Sequence, residues 1–422
     1  MDIKTVILAA GKGTRMKSET PKVLHEIFGK TLLGYVLDSV KSFSDEAFVI
    51  VGHKADEVQK YIEKNYTFAS TVLQNPQLGT GHAVSFVCPM LNNYNGLVLI
   101  TCGDTPLLKE ETLKKFVEEH IKSNADVTVM STIFEQPTGY GRIIRNSNGE
   151  VEKIIEEKDA DTLQKAVKEV NAGVYCLNWQ KVNNAFSELK SSNAQGEYYL
   201  TDIIEWANRK GLKVCASVLA DSDEIYGINS RSNLAIAAKI MNKRKLIELM
   251  DSGVTIVDPD TTWISPDTKI GEDTIIFPST YIEGENNVIG KNCKIGPFAH
   301  LRGNVKIADD VKIGNFVEVK NSTIDEHTNA CHLSYIGDSD LGKNINIGAG
   351  TITANYNPLT KVKSRTILKD NVKIGSNSVL VAPVTLENGV NVGAGSVITK
   401  NIDKNALALT RASLKVVENL VK

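Results

Sequence analysis

The chain has 422 residues, 42% of them hydrophobic and 23% charged, with a net charge of −2. That length has room for two or three domains, and the near-neutral balance argues against a nucleic-acid or membrane-surface partner. No apolar run reaches the ~18 residues of a spanning helix, and six scattered cysteines without a CxxC pair fit reduced thiols in a cytoplasm better than disulfides or zinc.

The N-terminus, MDIKTVILAAGK, reads as a first strand, not a cleaved leader. That strand (Val6, Ile7, Leu8) runs straight into Gly11, Lys12, Gly13, Thr14 and Arg15. Two glycines let the backbone pass close to a bulky anion, while Lys12, Arg15 and Lys22 bring three cations to it. Backbone N–H groups in such a loop cradle phosphates. The spacing is neither the P-loop's nor GxGxxG, so a phosphorylated ligand is implied without an ordinary dinucleotide or kinase site. Further apolar runs at 47–51, 97–101 and 127–133 alternate with amphipathic stretches at 32–42 and 110–121. This predicts an α/β sandwich around a mostly parallel sheet. Asp104 follows the run 97–101 and so falls at a strand's C-terminal end, where open α/β sheets bind ligands. Over 230–250, Ile236, Ile240, Ile247 and Met250 predict one apolar helix face, and Gly253 a stop.

From about residue 254 the style changes. Aliphatics recur every six residues: Ile264, Ile270, Ile276 and Ile282, then Ile289 through Val319, then Ile324, Ala330 and Ile336, then Leu368 through Ile398. The residue two before each is usually small or β-branched (Thr268, Thr274, Cys293, Ser334, Ser378), and glycine often follows (Gly290, Gly314, Gly348, Gly375). Hexads of this kind predict a parallel β-helix with three short strands per triangular turn. The phase breaks at 353–367, which reads as a projecting loop. His332 lies two residues after the inward Ala330, with Ser334 in the small slot, so the phase turns it away from the packed core. A histidine there is suited to taking a proton near neutral pH.

Two halves of this kind, in this order, resemble the bifunctional N-acetylglucosamine-1-phosphate uridylyltransferase / glucosamine-1-phosphate acetyltransferase family of bacteria. The resemblance spans essentially the whole chain. It rests on LAAGKGTRM with PKVLH, QLGTGHA, CGDTPLL, PTGYGRI, EEKDA, NAGVY, NAQGEYYLTDII and GINSR. In the second half it rests on GPFAHLR, GNFVEVK, HLSYIGD, NIGAGTITANY and ALALTR. It implies a uridylyltransferase domain at 1–228, a linker helix at 229–252 and a left-handed β-helix acetyltransferase domain at 253–422. It also implies a cytoplasmic homotrimer acting on small molecules: glucosamine 1-phosphate, N-acetylglucosamine 1-phosphate, UTP and acetyl-CoA.

Carried over position by position, the resemblance places Leu8, Ala9, Ala10 and Gly11 under the nucleotide, with Arg15 and Lys22 facing the triphosphate and transition state. Gln74, Gln77, Gly79 and Thr80 would read uracil, since a base edge needs paired donors and acceptors. Gly141, Glu156, Asn171 and Thr201 match sugar-phosphate contacts, and Asp104 and Asn229 match ligands of Mg²⁺, a hard ion that takes few protein oxygens. In the second half His332 would be the general base, and Arg302, Lys320, Tyr335 and Asn346 would hold glucosamine 1-phosphate. Ala349, Asn355, Tyr356, Ser376, Ala394 and Arg411 match acetyl-CoA contacts.

The chain departs from the family pattern in places. The hexad phase slips by one near 283–289, so the β-helix reads as about one turn short; Gly303 and His300 stand where proline and arginine are usual. The loop after Tyr356 is longer, the tail past Arg411 is brief, and Cys102 fills a variable slot. Singly, each residue has a plainer reading: Asp104 as a turn aspartate, Gln74 and Gln77 as surface amides, Glu156 as part of a solvated charge run, Arg302 and Lys320 as solvated outer charges. Two rivals stay open on residues alone. One is a single-activity sugar-1-phosphate nucleotidyltransferase whose β-helix trimerises or regulates. The other is a binding protein with both sites dead.

Overall fold

The structure is a computed structural model that describes residues 2–418. It divides into two compact units, Met1–Ala238 and Lys239–Lys422.

The first unit is built on strands β1 (Ile3–Leu8), β2 (Glu46–Val51), β3 (Ala69–Leu73), β4 (Leu97–Cys102), β5 (Val127–Ile133), β6 (Arg142–Arg145), β7 (Val151–Ile155), β8 (Glu169–Asn178) and β9 (Val214–Leu219). The sheet order is β9-β5-β8-β4-β1-β2-β3, with β6 paired to β8 and β7 to β6. All neighbours along the main path are parallel except β8, which runs antiparallel to both β4 and β5. Helices α1 (Leu32–Val40), α2 (Ala55–Asn65), α3 (Thr80–Ser85), α4 (Glu110–Ser123) and α5 (Asp202–Arg209) accompany it. Local sequence sets their ends. Thr31 caps α1 by accepting from the N–H of Gly34 at 2.9 Å, and Asn124 ends α4 in the left-handed conformation. Strand residues feed two apolar clusters alternately: Val6, Ile50 and Ile100 one, Ile7, Val49 and Leu99 the other. A sheet covered on both faces is therefore a near-continuous apolar run in sequence.

The second unit is a left-handed parallel β-helix, the hand opposite to ordinary crossovers. Among the described residues its short strands stack into three parallel sheets of nine, eight and seven strands. We call these the first, second and third faces, starting at Thr255–Ile256, Trp263–Ile264 and Lys269–Ile270. The hexad aliphatics stack inward, and all of those predicted are buried except Ile270, which is partly so. The small residues two before them are buried too, and several of their hydroxyls are satisfied by backbone carbonyls, while Thr268 shares a bond with the Ser265 hydroxyl and Thr366 has none. Thr274 Oγ1 donates to Gly290 and Thr328 Oγ1 to Gly342, each at 2.8 Å. Corners recur with left-handed residues such as Asp273, Asn292, Asn304, Asp310, Asn344 and Asn371, the types that tolerate positive φ.

Stacking runs on through the slip at 283–289, since Tyr281–Glu283 and Val288–Ile289 both pair in register with strands one turn on. The extra residue is absorbed at the corner, where the buried Asn287 side chain donates to Glu283 and accepts from the N–H of Val305. In the long helix α6 (Arg231–Asp251), the apolar face is not the one expected. Ile236, Ile247 and Met250 are exposed, while Ala237, Met241, Leu246 and Leu249 are buried. Two polar residues disguise that face: Asn242 lies buried with its amide bonded to Thr262 and Ile264, and Lys245 lies buried and paired with Glu248.

Candidate active sites

In the first unit, β1 and β4 end side by side, Leu8 opposite Cys102. The glycine loop leaves the sheet there. Gly13, at φ +59°, brings the loop so near Lys22 that an added Cβ would stand 2.8 Å from that residue's own Cβ. A cavity of about 480 Å³ opens at these strand ends. Of the expected residues it is lined by Leu8, Ala10, Gly11, Lys22, Gln74, Gln77, Gly79, Thr80 and Asp104. Lys12, Ala83, Cys102 and Glu197 line it as well; Ala83 and Glu197 stand inside the QLGTGHA and NAQGEYYLTDII motifs, the only signal that pointed to them.

Lys22 Nζ bonds both Asp104 Oδ2 and, at 3.1 Å, Asn229 Oδ1. The N–H of Ile228 bonds the Asp104 carbonyl at 2.9 Å, which ties the GINSR loop to the strand end. Two oxygens distant in sequence thus converge on one cation. The amide nitrogens of both glutamines are committed: Gln77 Nε2 to the Ala10 carbonyl at 2.8 Å, Gln74 Nε2 to the Gly79 carbonyl at 2.9 Å. Cys102 is no nucleophile here, because burial and then the Asp104 carboxylate push its thiol up to about 12. Ala9 is buried with its N–H given to Ile50, and Arg15 stands exposed on the turn Thr14–Met16, outside the cavity lining.

A second group gathers at the ends of β7 and β8. The N–H of Asn171 bonds the Gly141 carbonyl at 2.9 Å, and Thr201 Oγ1 donates to Glu156 Oε1 at 3.2 Å. Thr80 joins it to the first group by accepting from the N–H of Leu200 at 3.0 Å. Burial raises the Glu156 carboxyl above its usual range; the Thr201 bond opposes this, and smaller repulsions from Asp202, Asp159 and Glu197 add to it.

In the second unit, Arg302 and Lys320 are register partners on the second face, and Tyr335 lies one strand on. Arg302 Nε donates to Glu318 at 2.7 Å. Burial first, then Arg302 and Lys363, lower the Lys320 ammonium, as expected where cations are packed without enough acid. Asn355 is buried and bonds Asp338, which also accepts from Asn321 at 2.5 Å. His332 is exposed at the end of a first-face strand. Successive turns set Ala349, Ser376 and Ala394 above it at the same corner, as the bonds Gly350 N–H to Leu333, Asn377 N–H to Ala349 and Gly395 N–H to Ser376 show. Asn346 also belongs to the first face, at the opposite end of its strands from His332, so one chain does not bring it to Arg302 and Lys320. Tyr356 is exposed on the hairpin 356–363, and Arg411 is exposed beyond the last turn.

No helix among the described residues is long and apolar enough to cross a membrane. The nucleotidyl transferase family model matches residues 4–223, and the bacterial transferase hexapeptide model (six repeats) matches 288–321 and 365–400. Relatives named bifunctional protein GlmU match from end to end. That of Clostridioides difficile is 42% identical over 100% of this chain and 98% of its own length. Those of Geobacillus thermodenitrificans and Caldanaerobacter subterraneus are 43% and 44% identical over 99% and 97% of this chain, and over 97% and 96% of their own lengths. With both halves matched in one chain and in this order, the protein belongs to the bifunctional GlmU family.

Proposed function

We propose that this chain acetylates glucosamine 1-phosphate with acetyl-CoA, then joins the product to UTP, giving UDP-N-acetylglucosamine and pyrophosphate. The observation that carries the reading is the convergence of Lys22, Asp104 and Asn229 at the mouth of the glycine loop. In uridylyl transfer a sugar-phosphate oxygen attacks the α-phosphorus and the bond to pyrophosphate breaks. Lys22 and the loop N–H groups meet the charge that builds on the leaving phosphates. Asp104 and Asn229 offer two hard oxygens already aimed at one cation, the donor set that suits Mg²⁺. When bound, that ion supplies further charge neutralisation at the phosphates. With both glutamine nitrogens committed, the glutamine oxygens are left to accept the N3–H of uracil, which cytosine lacks.

In the second unit His332 takes the proton as the sugar amine attacks the thioester carbon. The N–C bond forms, and the C–S bond breaks to release the thiol. Ala349, Ser376 and Ala394 give a smooth strip for the donor to lie along, and Arg302 and Lys320 hold the sugar phosphate. The acetyl site is completed between copies, in a homotrimer. Two features support this: Asn346 stands apart from Arg302 and Lys320, and an apolar ladder occupies the His332 corner. There Phe298, Phe316 and Leu333 are 50%, 55% and 60% exposed, with the two rings stacked at 5.1 Å.

The test is a pair of readouts on one protein: thiol release from acetyl-CoA with glucosamine 1-phosphate, and pyrophosphate release after UTP and Mg²⁺ are added. His332→Ala is expected to abolish the first and spare the second. Asp104→Ala is expected to lower the second by about 100-fold or more and spare the first. Loss of both signals in either variant would contradict two separate sites.

A further inference from the structure

Tyr175 lies on β8 four residues after Asn171, beyond a bulge where Gly173 turns at φ +72°. It is 1% exposed, and its Oη has no hydrogen-bond partner. A phenol removed from water without a partner is costly, and phenylalanine would fill nearly the same space without that cost. The ring packs in the apolar cluster that also holds Ile154, Leu200 and Ile203, residues close in the chain to Glu156 and Thr201. The polar side chains that bear on the hydroxyl are Glu156, Asn171, Cys102 and Asp202. Asn171 can offer the phenol only its amide N–H, because its Oδ1 is taken up by the N–H of Gly173 at 2.9 Å, so the phenolic proton is left without an acceptor. Cys102 points its thiol at the Gly173 carbonyl. Glu156 has spare capacity: Oε1 holds the 3.2 Å bond from Thr201, and Oε2 accepts no hydrogen bond from the described residues.

We propose that Tyr175 is a positioning residue of the sugar site, its hydroxyl donating to the Glu156 carboxylate when N-acetylglucosamine 1-phosphate is bound and standing unpaired when it is not. This rests on the reading of Glu156 as a sugar contact. With sugar present, the carboxylate is drawn inward, gripped by the phenol from below and by Thr201 from the side. Its remaining lone pairs face the sugar hydroxyls. An unpaired buried donor is exchanged for a charge-assisted hydrogen bond, so part of the sugar's affinity comes from inside the protein.

Tyr175→Phe, Glu156→Gln and the double variant test this in the full-length protein. The measurements are pyrophosphate-release kinetics with each substrate varied, and thermal unfolding without ligands. Tyr175→Phe is expected to raise KM for N-acetylglucosamine 1-phosphate about tenfold and leave KM for UTP unchanged. It should unfold no earlier than the parent, and it should add nothing to Glu156→Gln in the double variant. An unchanged sugar KM, earlier unfolding of the free protein, or multiplying effects in the double variant would each overturn the proposal. If Glu156→Gln itself leaves the sugar KM unchanged, the reading of Glu156 fails and the proposal falls with it. If that variant raises the sugar KM while Tyr175→Phe does not, only the role of Tyr175 is refuted.

Discussion

At the scale of single residues, the glycine loop was legible because its chemistry is local. Gly11, Lys12, Gly13 and Lys22 stand within twelve positions, and a strand before them fixes where they sit. What no local reading supplies is the partner set. Lys22 reaches Asn229 across 207 positions, and only the motif resemblance linked the two. The burial of carboxyls was equally hidden. Asp202, first residue of α5, looks in sequence like an ordinary acidic helix start, favoured there by the helix dipole. Yet burial first, then Glu205 and Asp159, push its carboxyl up to about 6. The folded protein then holds a proton that the unfolded chain releases near ~3.9. Stability therefore falls as pH rises through about 6, and the penalty vanishes below about pH 4. Asp202→Asn is expected to be the more stable protein at about pH 8, by about 1 kcal/mol after allowance for partial exposure, and to gain nothing at about pH 4. Urea unfolding at the two pH values reads this directly; the same gain at both would exclude burial of the charge as the cause.

At the scale of elements, the β-helix was readable because its period is six and each position has one job. Inward aliphatics, small residues beside them and glycines after them all fell where the phase put them. The reason for the glycines came only with the structure. At Gly271, Gly314, Gly348 and Gly375 the backbone of the next turn passes where a side chain would begin. At Gly348 an added Cβ would lie 2.5 Å from the Ser376 nitrogen. Gly348→Ala is thus expected to destabilise the second unit by about 1–3 kcal/mol and to impair thiol release, since Ala349 and Ser376 flank the collision. Pyrophosphate release should persist. A variant with unaltered melting and thiol release would show that the turns can spread without loss. The helix α6 resisted reading for the opposite reason. Its buried face carries Asn242 and Lys245, whose polarity is satisfied by bonds that no periodicity reveals. Phase slips, too, have positional meaning. Val319 to Ile324 and Ile336 to Leu341 are five apart instead of six, and the shortened corners hold Asn321 and Asp338, which join Asn355 beside Lys320.

At the scale of the whole molecule, the two sites differ in what completes them. Lys22, Asp104, Asn229 and the cavity-lining residues proposed for uridylyl transfer meet within Met1–Ala238. The residues proposed for acetyl transfer are split between faces of the β-helix, and the corner beside His332 carries an anomaly. Phe298, Phe316 and Leu333 take φ of +54°, +55° and +39°, a region that disfavours bulky side chains by about 1–2 kcal/mol each. Elsewhere the corners place mostly asparagine, aspartate or glycine in that conformation, with Ser279 and His327 as polar exceptions, so three strained apolar residues in successive turns of one corner call for a contact outside the chain. In the homotrimer proposed above, a second copy of the β-helix would be the occupant and would also bring Asn346 within reach of Arg302 and Lys320. Phe316→Asp tests the coupling of assembly to activity. The charge cannot be buried unpaired against a neighbour, so light scattering should show the trimer replaced by monomer. Thiol release should fall with it, while pyrophosphate release from pre-acetylated sugar stays at the parental rate, because nothing in the first site is borrowed. A monomer that still released thiol would place the whole acetyl site within one chain, and a Phe316→Asp protein that remained trimeric would move the interface to another face.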